Sequence, residues 1–118
     1  MDKAELESRT KEFAIRIVRF VTEVPKGKVT DTLGIQLLRA GTSIGANYRE
    51  ANRAQSRNDF IHKIALVEKE AGETQYWLEI FEELRMGNTD DRQWLLRESN
   101  SLIAIFTSIG KTSKSRHA

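Results

Sequence analysis

The sequence predicts an all-α fold, an antiparallel up-down-up-down four-helix bundle, on three observations. Apolar residues recur at helical spacing in four long segments, short breaks divide those segments, and only one proline, Pro25, stands in 118 residues. Short connections make consecutive helices antiparallel neighbours. Residues 1–110 are expected to form the bundle as one domain. Residues 111–118, KTSKSRHA, are expected to be a short disordered basic tail.

The first helix is predicted over about Lys3 to Glu23. Asp2 with Glu5 three residues on gives a capping pair. Leu6, Phe13, Ala14, Ile17, Phe20, Val21 and Val24 form its apolar arc. Beside the arc, Glu5–Arg9 and Glu12–Arg16 are spaced for i,i+4 pairs worth about 0.2–0.5 kcal/mol each. Val24-Pro25-Lys26-Gly27-Lys28 then breaks the chain, since proline removes a donor and glycine frees the backbone. Thr30 or Asp31 is placed to cap the second helix, which should run to about Ala54.

That second helix carries the densest pattern. Leu33, Leu37, Ala40, Ile44, Tyr48 and Ala51 fall on one face. Gln36, Ser43, Asn47 and Glu50 line one margin, and Gly34, Gly41 and Gly45 line the other. A glycine costs about 1 kcal/mol relative to alanine inside a helix, so three on one stripe imply close approach by another backbone. The stripe lies beside the core arc, and Ile35 points outward. Gly34, Ile35, Gly41 and Gly45 are therefore candidates for packing between copies. Arg39, Arg49 and Arg53 form a basic outward edge.

Ser56 with Asp59 three residues on marks the start of the third helix, predicted from Arg57 to about Met86. Its core positions are Phe60, Ile64, Val67, Ala71, Thr74, Leu78 and Phe81, flanked by Glu70, Glu73 and Trp77. Gly87 suits a left-handed stop, and Thr89 is placed to cap a fourth helix from about Asp90 to Ile109. There Leu95, Leu102, Ile105, Phe106 and Ile109 face inward, and Gly110 is read as its end. Asn47 and Glu50 on one helix and Glu70 and Glu73 on the next are expected to meet in an antiparallel pair. With Ser43 they would form a structural polar network, because half-buried carboxylates need hydrogen-bond partners.

Composition narrows the chemistry. The chain has no cysteine, so it offers no thiolate and no Cys-based zinc site. A ferritin-like di-metal site needs paired Glu-x-x-His motifs, and none occurs; His62 lies off the core arc and His117 in the tail. No phosphate loop or nucleophile–base pair appears, so neither an enzyme nor a cofactor is expected. The N-terminus MDKAELESR does not resemble a secretory signal and no apolar run suits a membrane span, so a cytoplasmic protein with no membrane partner is expected. Charge is uneven. Residues 1–57 hold 11 Lys/Arg against 7 Asp/Glu, residues 58–110 hold 5 against 10, and Lys111, Lys114 and Arg116 add three positive charges.

Two stretches, SIGANYREA at 43–51 and DFIHKIALVEKEAGETQYWL at 59–78, resemble the bacterial four-helix-bundle family known as 23S rRNA intervening-sequence proteins. The likeness is most specific in the Ser-Ile-x-x-Asn-x-x-Glu run and in the Glu-x-x-Glu-Thr-x-Tyr-Trp-Leu run from Glu70 to Leu78. That family is also similar to the accessory protein of diversity-generating retroelements, a basic pentameric barrel that binds nucleic acid and a reverse transcriptase. The resemblance implies a homopentamer with a nucleic-acid-related role. Two function classes follow. One is a homo-oligomer binding RNA or DNA through Arg39, Arg49, Arg53, Lys111, Lys114 and Arg116, weakly and without sequence preference. The other is an oligomeric scaffold for a protein partner. No aromatic is interleaved with those arginines, so stacking on single strands is not expected.

Overall fold

The computed structural model describes residues 1–117, with side chains described through Ser115. Four antiparallel helices form a bundle 48 × 23 × 22 Å across. α1 (Lys3–Glu23) opens where Asp2 Oδ1 accepts the Glu5 amide at 2.8 Å, as the capping pair requires. α2 (Lys28–Asn52) starts earlier than a Thr30 or Asp31 cap predicts. Gly27 precedes its first turn, and Thr30 Oγ1 donates instead to the Pro25 and Gly27 carbonyls.

α3 (Arg57–Glu83) is a separate helix, because residues 53–56 form a turn and Ser56 Oγ accepts the Asp59 amide at 3.1 Å. It stops before Met86. Arg85 takes φ 53° and Gly87 φ 85°, so two left-handed residues reverse the chain where one was expected. α4 (Thr89–His117) is capped by Asn88, whose Oδ1 accepts the Asp91 amide at 2.9 Å, and not by Thr89.

Residues 111–117, expected in a disordered tail, are helical. α4 continues through Gly110 to His117, because that glycine is packed rather than free: a Cβ there would collide with Glu68 Oε1 and approach Ile64 of α3. Three residues on, Ser113 is buried and its Oγ donates to the Ile109 carbonyl. The domain therefore extends past residue 110. Ala118 lies outside the described residues.

The core follows the apolar arcs. Phe13, Ile17 and Phe20, Leu37 and Ile44, Val67, Leu78 and Phe81, and Leu102 and Phe106 are all sealed from solvent. Each such side chain contributes roughly 1.5–3 kcal/mol relative to exposure. Rings cross both diagonals of the bundle: Phe20 of α1 meets Phe81 of α3 at 5.5 Å, and Tyr48 of α2 meets Phe106 of α4 at 5.2 Å. Buried hydroxyls are satisfied, Thr10 and Thr74 by carbonyls four residues back and Ser99 across to α3 by Gln75 Oε1.

The glycine stripe belongs to this bundle. Gly34, Gly41 and Gly45 are buried against α1, where added Cβ atoms would lie 3.1 Å from Val21, 2.8 Å from Ile17 and 3.1 Å from Thr10. The close approach inferred from sequence is real, but its partner is α1 of the same chain. These three glycines are covered by α1 and do not face another copy. Ile35 stays exposed at 55%.

Candidate nucleic-acid interface

Antiparallel topology brings the start of α1, the end of α2, the start of α3 and the end of α4 to one end of the bundle. Four exposed cations lie at that end on α2, α3 and α4, with Lys3 of α1 and the carboxylates Asp2, Glu5 and Glu50 at the same end. Arg53 ends α2, Arg57 begins α3, and Lys111 and Lys114 occupy the final turns of α4. All four are exposed, and none is in an ion pair among the described residues. Between Arg57 and the last turns of α4 runs an open groove lined by Phe60, Ser108, Ile109, Thr112 and Ser113. The helix dipole gives an ordinary reason for cations near helix C-termini, worth about 0.3–1 kcal/mol each. It does not account for Arg57, which sits at a helix N-terminus. Arg116 lies beyond the described side chains.

The predicted basic edge of α2 is divided. Arg49 leans toward α1, with Nε 3.7 Å from Glu7 Oε1, while Asn52 Nδ2 donates to Glu7 Oε2 at 2.9 Å. Arg39 stands 14 residues before Arg53 on the same helix, roughly 21 Å away at 1.5 Å per residue. Burial and Glu73 push the Glu70 carboxyl above the ordinary range, and Lys69 and Arg39 oppose that rise. Arg39 is thus part of a mixed-charge flank between α2 and α3, not of the cationic end.

The polar network does not assemble. Ser43 Oγ donates to the Arg39 carbonyl at 2.6 Å and Asn47 Nδ2 to the Ser43 carbonyl at 3.0 Å, both within α2. Glu50 and Glu73 are exposed. The register explains the miss: Glu70 is 13 residues into α3 and Arg39 13 residues before the end of α2, so Asn47 and Glu50 pass α3 nearer its start.

Other polar groups join the helices, among them Arg92, Glu82 and Glu98, which were not singled out from the sequence. Arg92 is buried in the α3–α4 turn, where Nε donates to Glu82 Oε1 at 2.6 Å and Nη1 to the Met86 and Gly87 carbonyls at 2.9 Å. Hydrogen bonds from Arg92 and Gln93 hold the Glu82 carboxyl below the usual range. Arg9 turns away from Glu5 and grips Glu98 of α4 through two bonds of 2.7 and 2.8 Å, which raises its own pKa. Arg16 keeps its predicted bond to Glu12 at 3.1 Å and also lies 3.9 Å over the Trp94 ring. The seven-residue spacing of Arg9 and Arg16 matches one face of α1, a signal that these two arginines act together.

A family model described as 23S rRNA-intervening sequence protein matches residues 3–108. The chain is also similar to a crystal structure of a protein of unknown function from the S23 ribosomal protein family of Bacteroides thetaiotaomicron. The two are 36% identical with a TM-score of 0.80, over 94% of this chain and 99% of that one. No curated protein matches.

Proposed function

The chain belongs to the 23S rRNA-intervening sequence protein family, and from that premise we propose that it is a non-enzymatic homo-oligomeric ring that binds RNA or DNA phosphates weakly. Such binding would have little base preference. The supporting observation is the cationic end, where Arg53, Arg57, Lys111 and Lys114 are gathered from three helices without ion-pair partners among the described residues. Each guanidinium or ammonium that neutralises a phosphate releases a counterion, so affinity falls steeply with salt. One copy offers few such charges, which makes single-copy binding weak. Several copies in a ring multiply the contacts through effective concentration. A ring of five is what the family resemblance implies.

The test is a titration of a structured RNA and a DNA duplex at about 50 and 150 mM salt, salts that bracket a steep counterion response. Wild type is compared with Arg53→Gln/Arg57→Gln/Lys111→Gln/Lys114→Gln. The expected result is wild-type binding to both polymers at low salt, with at least a tenfold loss in the variant. Equal binding by the two proteins, or none by wild type, would favour an oligomeric scaffold for a protein partner.

A further inference from the structure

Two exposed apolar patches lie on different sides of the bundle with opposite charge around them. The first lies across α1 and α2, where Val18 is 43% exposed and Ile35 55%, with Val21 and Leu38 half-buried between them. Thr22 and Thr42 complete this surface. Their hydroxyls donate to the Val18 and Leu38 carbonyls at 2.7 Å each, which leaves the methyl groups to face outward. Lys11, seven residues before Val18, and Lys26 and Lys28 beyond the ends of the patch make its rim mainly basic, with Asp31 the acidic exception.

The second patch lies on α3 and its C-terminal end. Tyr76 is 57% exposed and Leu84 55%, and they line a hollow with Ile80. Exposed Glu73, Glu79 and Glu83 make its rim mainly acidic, with Lys69 and Arg85 the basic exceptions. α1 and α3 face each other across the core through Phe20 and Phe81, so the outer surface of α3 points away from α1. The heights also agree. Ile35 stands 17 residues before the end of α2 and Tyr76 19 residues after the start of α3, roughly 26 and 29 Å from the same end of the bundle at 1.5 Å per residue.

We infer that the α1–α2 patch of one copy docks on the α3 patch of the next. The inference rests on the homo-oligomer part of the proposed function and names its surfaces. Apolar centres supply the buried area, and the basic rim meets the acidic one. Because the two surfaces differ, the contact is heterologous and propagates head to tail until a ring closes. Matching heights let a rotation about an axis near-parallel to the bundle make the contact. Every cationic end then faces the same way.

The experiment uses light scattering on the full chain with Ile35→Asp, Tyr76→Lys and an equimolar mixture of the two. Both positions are more than half exposed, and circular dichroism checks that each variant stays folded. Wild type should be an oligomer and each variant a monomer. The mixture should give a one-to-one dimer and nothing larger, because each variant keeps the face that the other lacks. Assembly of either variant alone, or a mixture that stays monomeric, overturns the inference while an oligomeric wild type leaves the ring reading standing. A monomeric wild type overturns both and leaves these patches to a different protein.

Discussion

Gly41 of α2 meets Ile17 of α1 so closely that a Cβ on the glycine would lie 2.8 Å from Ile17 Cγ1 and 3.0 Å from Cγ2. Ile17 is fully buried, so it has no room to retreat. Overpacking of this kind costs about 1–3 kcal/mol, against a helix-propensity gain of about 1 kcal/mol for alanine. Gly41→Ala is therefore expected to lower stability by about 1 kcal/mol net, read as a reduced urea midpoint. Gly72 is the control. No atom lies within 4 Å of its missing Cβ, so Gly72→Ala should raise stability by roughly 0.5–1 kcal/mol. Equal effects at both positions would contradict the packing account.

Acid should weaken the α3–α4 turn. The folded Glu82 carboxyl is held below its ordinary value by Arg92 and Gln93, whereas an unfolded glutamate titrates near pH ~4.3. The stabilisation is present above that unfolded value and disappears as pH falls through the folded one. Glu82→Gln should lower the melting temperature at pH 7, and by less as pH falls below the unfolded value. A deficit that persists unchanged at pH 3 would show that the charge on Glu82 is irrelevant.

Glu70 should behave with the opposite sign. Its folded carboxyl is raised, chiefly by burial, so its contribution is most favourable at low pH and declines as pH rises through the window between the unfolded and folded values. Glu70→Gln should leave the melting temperature at pH 7 unchanged or slightly higher. A marked drop would restore the cross-helix network that the geometry does not support.

Two of the four helix caps were legible in the sequence, and the long-range packing was not. The Asp2 and Ser56 caps depend on residues three apart, and both form as read. The end of α4 depends on what packs against Gly110, and Glu68 and Ile64 of another helix keep that helix going. The glycines of α2 announced a close neighbour without saying that it was α1. Arg57 joins Arg53, Lys111 and Lys114 only once the antiparallel order is drawn, since the four are spread over 62 positions, from 53 to 114. Arg39 stands apart from that end for the complementary reason: its side chain is exposed, but it lies 14 residues before Arg53 on the same helix.

The central claim is that phosphate binding belongs to the cationic end of the bundle. Its most direct test is the slope of log affinity against log salt for wild type, Arg53→Gln/Arg57→Gln and Arg39→Gln on one structured RNA. Each lost phosphate contact should flatten the slope by about 0.7–0.9. The double variant should therefore bind more weakly with a slope flatter by about 1.5 per copy engaged, while Arg39→Gln follows wild type. Equal slopes for all three proteins, or a loss in Arg39→Gln that matches the double variant, would contradict the assignment.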